Sequence, residues 1–265
     1  MSPPPPEVLA AFGVAGSSPV PLSGGMGTSW RAAGLVLKPA DADVAELDWQ
    51  ADLYAGLTGD GFRLARPRRA AGGSVCAHGW SATEFVPGGH EPGRWADIIA
   101  VGERFHAALR AVPRPGFLTA RSTPWAVSDR VAWGEAPLAV IPDQRYLAQL
   151  AAAARPVTAA SQVVHGDLTG NVLFHDRLPP AIIDLAPYWR PPGYASAVVV
   201  ADALLFEGAD ESILRAVGHV ADFGQYLIRA LSFRIAADQL VFDGRPPDPR
   251  WAATVDLACQ LARAG

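Results

Sequence analysis

At 265 residues, half of them apolar, the chain is long and hydrophobic enough to bury one large core or two lobes, which excludes a disordered protein. A formal charge of -4 without a lysine-rich tract argues against a nucleic-acid surface, because such surfaces must neutralise phosphates; small-molecule partners fit better. Cys76 and Cys259 lie far apart outside any C-x-x-C pattern, and the six histidines show no ligand spacing, so neither a disulfide framework nor a zinc site is expected.

The start, MSPPPPEVLAAFG, has no basic region and no long apolar run, so neither a signal peptide nor an anchor is expected. No later stretch reaches the roughly 20 apolar residues of a spanning helix. A cytoplasmic protein is the expectation. Glu7 to Phe12 reads as a short helix stopped by Gly13. Residues 19 to 38 then read as three strands, with Gly24, Gly25 and Gly27 at the first turn and Lys38 at the end of the last strand. Of the 22 basic residues, Lys38 is the only lysine. An ammonium is a compact point charge that the broader guanidinium cannot replace in a narrow site. The glycine turn suits either an ordinary hairpin or a close approach of backbone N-H groups to phosphate, with Thr28 and Ser29 as further donors.

Asp41 to Leu57 is helical by pattern, since Val44, Leu47, Ala51 and Tyr54 share one face. Residues 61 to 87 return to strands and end in a Pro-Gly break. Trp95 to Arg110 is a helix in which His106 lies on the core or boundary face. The segment from Pro113 to Pro142, rich in proline and tryptophan, reads as packing or a substrate wall. Gln144 to Ala154 is a second helix of this half.

Residues 162 to 185 carry the chemistry. Val172 to Phe174 and Ala181 to Ile183 read as an antiparallel hairpin, which brings Asn171 and Asp184 to the same open end, with Asp167 four residues upstream of Asn171. Three oxygen-bearing side chains of this kind suit a hard, incompletely dehydrated ion such as Mg2+. Beyond them, LAPYWRPPG is a short rigid segment, and Arg190 is either a surface residue or a phosphate contact. Asp202 stands inside the apolar helix AVVVADALLF, where an unpaired carboxylate would be costly. Asp222-Phe223-Gly224 falls within a helical stretch, Ile213 to Ala237, and is set aside as a metal motif. A last helix starts at Trp251.

His165-Gly166-Asp167-Leu168, Asn171 and Ile183-Asp184 together resemble the core of aminoglycoside phosphotransferase-like and choline-kinase-like enzymes, in an uncharacterised actinobacterial-type branch. The resemblance implies an α+β, two-lobed protein-kinase-like fold. A small antiparallel-sheet N-terminal lobe (1 to 87) would bind nucleotide, and a larger, mainly helical C-terminal lobe (88 to 265) would hold catalytic and substrate groups. It also implies ATP and Mg2+ as cofactors and a small-molecule hydroxyl acceptor such as an aminoglycoside or amino sugar, with no nucleic acid and no membrane.

Carried over, Asp167 orients the acceptor hydroxyl, while Asn171 and Asp184 hold the metal. Gly24, Gly25, Gly27, Thr28, Ser29 and Lys38 hold phosphates, and Glu84, Phe85 and Val86 meet the adenine edge or simply form a hinge. Lys38 takes a carboxylate from Glu46, Asp48 or Asp52, with Asp48 preferred. His165 and Asp202 support the catalytic loop. The chain departs from the family in one place: only Leu168, Thr169 and Gly170 separate Asp167 from Asn171, one residue fewer than usual. A nucleotide-binding pseudokinase or scaffold is therefore the alternative, and a protein kinase is disfavoured by the short segment after Asp184. Glu207, Asp210 and Glu211 are acidic candidates for a cationic acceptor.

Overall fold

The computed structural model describes residues 2–22, 27–40 and 42–264. The chain divides into two compact units, one made of residues 1–90 and 170–185, the other of 91–169 and 186–265. The sequence suggested a single cut after residue 87. Instead, the hairpin expected in the second half joins the first unit, because its second strand finds a parallel partner there.

In the first unit, α1 (Pro6–Ala11) is followed by β1 (Val20–Pro21), β2 (Trp30–Ala32) and β3 (Leu35–Pro39), then by α2 (Val44–Gly56). Next come β4 (Arg63–Leu64), β5 (Pro67–Arg68), β6 (Cys76–Ala77) and β7 (Trp80–Glu84). The main sheet runs β1-β2-β3-β7-β5, with β6 also on β7, and all of its pairings are antiparallel. Val8, Leu9 and Phe12 of the α1 segment bury against Ala32, Leu35, Leu37 and Ala82 of this sheet, which makes the short helix a lid on its core.

The strand β4 leaves that sheet and pairs in parallel with β10 (Leu178–Ile182), which is antiparallel to β9 (Val172–His175). The register slips between Leu178 and Ala181. Pro179 and Pro180 stand there and have no N-H to give to a ladder. Arg63 secures this corner, donating to the carbonyls of Pro179 at 2.7 Å and Pro87 at 2.8 Å.

The second unit contains α3 (Trp95–Ala108), α4 (Phe117–Ala120), α5 (Pro124–Ala132) and α6 (Arg145–Ala152). Two strands follow in this unit, β8 (Gln162–His165) and β11 (Pro187–Arg190), then α7 (Pro192–Phe206), α8 (Phe223–Val241) and α9 (Ala252–Ala264). The helix α5 was not foreseen inside the proline-rich segment. It starts on a Thr123 cap whose hydroxyl accepts from the Ala126 N-H at 3.3 Å, with Pro124 in the first turn, where a missing N-H costs nothing. The segment after Asp184 is likewise a strand, because Pro187 to Arg190 pair with His165 to Gln162.

Helix α7 is apolar all round, and α8 is buried from Gly224 to Gln239. Helices of this kind form the centre of a helical layer, and any charge they carry must be paired. Asp222 caps α8 from the left-handed region at φ 54° and is not inside a helix, as the periodicity suggested. Gly224 follows it and lies against α9, where an added Cβ would come within 2.5 Å of the Ala262 nitrogen and the Leu261 carbonyl carbon. The whole triplet is thus a helix start packed on a neighbour. Among the described residues, no helix is long and apolar enough to cross a membrane.

Because the neighbours of Gly224 are backbone atoms that cannot rotate away, Gly224→Ala should destabilise the protein by about 1–3 kcal/mol, as overpacking does. Denaturant unfolding would read this as a lower midpoint at unchanged slope; an unchanged midpoint would show that the α8/α9 crossing yields freely.

Candidate active site

In the first unit, Asn171 and Asp184 are brought to one end of the β9/β10 hairpin. Val172 faces Ile182, and the Asn171 carbonyl accepts from the Ile183 N-H at 3.0 Å. Asp184 then turns out of the strand in the left-handed region, at φ 44°. Aspartate tolerates that conformation better than most residues. Lys38, on the end of β3, donates to Asp184 Oδ1 at 2.8 Å, so residues 146 positions apart in sequence meet as an ion pair. Burial first, and the Asp184 charge second, push the phenol of Tyr54 above its ordinary range.

The acidic residues of α2 separate cleanly. Asp48 and Asp52 both hold Arg69, at 2.6 and 2.8 Å, so the geometry does not support Asp48 as the partner of Lys38. Glu46 is the buried acid of this helix. Gln50 donates to Glu46 at 3.3 Å and to the Leu185 carbonyl at 3.1 Å, tying α2 to the residue after Asp184.

The remaining nucleotide candidates also fall in this unit. Gly27 is left-handed at φ 67°, and the Ser29 carbonyl accepts from the Leu22 N-H at 2.9 Å. Thr28 stands between them, while Gly24 and Gly25 lie outside the described residues. The N-H groups of Glu84 and Phe85 are already given to the carbonyls of Arg66 and Gly34, at 2.8 and 2.9 Å. An adenine edge would therefore have to take a donor from Val86.

In the second unit, Asp167 follows β8 and is fixed from several sides. Arg234 of α8 donates to Asp167 Oδ1 at 2.6 Å, while its Nε and Nη2 reach the two oxygens of Asp202 at 2.6 Å each. Arg234 and Asp202 are buried, whereas the Asp167 side chain is 46% exposed. Burial alone would lower Arg234, but the charges of Asp202 and Asp167 override it and hold the guanidinium well above its ordinary range. Asp202, expected from the resemblance to support the catalytic loop, is paired with Arg234, which also bonds Asp167. Arg234 itself went unnoticed in the sequence, although a lone cation in an apolar helical run is as costly as the carboxylate that drew attention to Asp202.

Histidines and glycines fix the rest of the loop. His165 Nδ1 accepts from the Asp167 N-H at 3.1 Å, and the His165 N-H donates to His106 Nε2 at 3.0 Å. The core face read for His106 is correct, since it is fully buried, and burial together with the nearby His165 lowers its pKa to about 3. Leu168 packs on Gly102, where a Cβ would sit 2.5 Å from the leucine methyl, and Tyr188 packs on Gly166 in the same way at 2.4 Å. Arg190 is no surface residue: it is buried between Asp129 and Glu135, at 2.6 Å from each.

Among the described residues, no group of three or more His, Cys, Asp or Glu could cage a metal. What Asn171 and Asp184 offer is a small oxygen-donor set at one hairpin end. That fits Mg2+, which takes one or two protein oxygens and fills its shell from water and phosphate.

A family model described as the phosphotransferase enzyme family matches residues 23–194, well over half of the chain. The chain belongs to that family. Its fold is the protein-kinase-like α+β fold, and by class it is a phosphotransferase enzyme. Among solved structures, aminoglycoside phosphotransferase APH(4)-Ia is similar at 14% identity and a TM-score of 0.62, with 97% of each chain covered. Spectinomycin phosphotransferase APH(9)-Ia, in complex with ADP and spectinomycin, is 14% identical at 0.53, covering 98% of this chain and 92% of that one. Choline kinase LicA from Streptococcus pneumoniae is 11% identical at 0.55, with 94% of each covered. No curated protein matches the sequence.

The lowered pKa of His106 sets an acid limit on the packing beneath the loop that carries Asp167. Below its ordinary value near 6.5, the unfolded chain binds a proton that the folded chain refuses down to about 3, so stability falls as pH falls through that window. In His106→Gln an amide oxygen can accept the same N-H without titrating. The wild type should lose about 1.4 kcal/mol per pH unit more than this variant across that range, read from denaturant midpoints. Parallel pH profiles would contradict it.

Proposed function

We propose that the protein transfers the γ-phosphate of ATP to a hydroxyl group of a small molecule. The observation that carries this reading is the 2.8 Å contact between Lys38, the only lysine of the chain, and Asp184 at the end of the hairpin that also presents Asn171. The structural neighbours support the nucleotide: one APH(4)-Ia structure is a ternary complex with AMP-PNP and hygromycin B, and the APH(9)-Ia complex contains ADP.

In this reading the first unit is the nucleotide side. Lys38 neutralises phosphate oxygens, with Gly27, Thr28 and Ser29 in the turn that leads toward β2, and Val86 offers the adenine edge its donor. Glu46, the buried acid of α2, takes the role first given to Asp48 and orients the lysine. Asn171 and Asp184 would hold Mg2+, which when bound supplies charge neutralisation at the phosphate oxygens.

Asp167 acts on the acceptor. Its carboxylate accepts the hydroxyl hydrogen and aims the oxygen, while Arg234 holds one carboxylate oxygen and the His165 ring holds the backbone N-H. The shorter stretch from Asp167 to Asn171 leaves less slack, so each end depends on its own anchor: Arg234 for Asp167 and the hairpin for Asn171. Catalysis is then positioning with charge neutralisation, and the protein forms no bond of its own.

Two variants separate these roles in a coupled ADP-release assay combined with a nucleotide-binding titration. Asp167→Asn should bind MgATP as the wild type does and lose turnover by about 100-fold or more, the scale of a positioned acid-base group. Asp184→Ala should lose magnesium-dependent nucleotide binding. Full turnover in Asp167→Asn would refute its role, and nucleotide binding without transfer in the wild type would favour a pseudokinase.

A further inference from the structure

The strand pair that leads into Asp167 is held by an ion group to which the phosphotransfer roles assign nothing. β8 runs into Gly166 and Asp167, and among the described residues it pairs only with β11, from Pro187 against His165 to Arg190 against Gln162. The ladder continues past β8, since the Gly166 N-H donates to the Ala186 carbonyl at 2.9 Å and Tyr188 lies directly on Gly166. Two strands alone hold no fixed position; what packs against them decides where they lie.

Each strand has its own anchors. On β8, Gln162 Nε2 donates to the His106 carbonyl at 2.6 Å and the His165 N-H donates to His106 Nε2 at 3.0 Å, so α3 holds both ends of the strand. On β11, Arg121 donates to the Pro187 carbonyl at 2.8 Å at one end. At the other end, Arg190 donates to both oxygens of Asp129, on α5, and to both oxygens of Glu135, just beyond it. The Trp133 ring lies 4.7 Å from the same guanidinium. An ion group in so buried a place adds little net stability over apolar side chains of the same volume, whereas a guanidinium gripped by two carboxylates fixes direction.

We propose that Arg190 is a positioning residue for phosphotransfer: held by Asp129 and Glu135, it fixes β11 against α5, and through β11 the backbone of Gly166 and Asp167. The inference rests on the phosphotransferase reading above. Arg190 then governs turnover and leaves MgATP affinity unchanged. Glu135 is the accessible end of the group, its side chain 50% exposed, so it can be replaced without opening the core.

The test uses the full chain with two variants. Arg190→Lys keeps the charge and loses the fork, and Glu135→Ala, at an exposed site, serves should the first not fold. Hydrogen exchange read by mass spectrometry should show the peptide covering residues 163–168 exchanging several times faster in each variant, with α9 unchanged. In MgATP hydrolysis, where water takes the acceptor's place, ADP release should fall about tenfold in Arg190→Lys and less in Glu135→Ala, at unchanged MgATP affinity. Added to Asp167→Asn, neither change should slow the residual release further. Unchanged exchange at 163–168, exchange that rises equally in α9, unchanged ADP release, or losses that multiply with that of Asp167→Asn would each overturn the proposal. If the wild type binds MgATP but releases no ADP to water, exchange at 163–168 alone decides. Absence of MgATP binding to the wild type would instead overturn the phosphotransferase reading, and the catalytic part of this inference with it.

Discussion

A buried arginine with two carboxylates organises the second unit. Arg234 sits in the middle of α8, which contacts α5, α6, α7 and α9, so its guanidinium is buried and must be satisfied largely by protein groups. Asp202 on α7 takes one edge through two 2.6 Å contacts, from Nε and Nη2, and Asp167 Oδ1 accepts from the same Nη2. A cation left alone in that position would cost several kcal/mol, and removing one partner of such a group is far more damaging than never having had it. The arrangement ties the Asp167 carboxylate to buried helices of its unit.

The backbone around Asp167 is built to the same end. His106 receives the N-H of His165, His165 receives the N-H of Asp167, and Gly102 and Gly166 clear the space into which Leu168 and Tyr188 pack. Each contact is modest alone. Together they fix the backbone that carries Asp167, and Arg234 holds its Oδ1. The first unit solves a different problem, bringing Lys38 and Asp184 together from distant parts of the chain through β3 and the β9/β10 hairpin.

Much of this could be read from the sequence where local chemistry is decisive. The hairpin showed in two apolar runs around a proline-containing turn, and Lys38 stood out because every other basic residue is arginine. What escaped depended on partners far away in the chain. The choice among Glu46, Asp48 and Asp52 is made by Arg69, which no helical pattern reveals. The pairing of β8 with β11 turns Pro187 to Arg190, which read as a short rigid segment, into a strand. Arg190 read as a surface residue because Asp129 and Glu135 lie more than fifty positions upstream. Helix α5 was legible in principle, since Thr123-Pro124 is an ordinary helix start, but the surrounding prolines and tryptophans obscured it. Arg234 shows the general difficulty: a cation at helical spacing reads as a solvated face until its neighbours prove apolar on every side.

The claim that most needs a test is the proposal that Asp202 acts on Asp167 chiefly through Arg234, which bonds both carboxylates. A double-mutant cycle on kcat with Asp202→Asn, Arg234→Gln and the pair tests it most directly, with MgATP affinity measured alongside as a control on folding. If the three act as one relay, the double variant should be no slower than Arg234→Gln alone, and all three should bind nucleotide normally. Losses that simply multiply would contradict the relay and reduce Asp202 and Arg234 to separate packing residues.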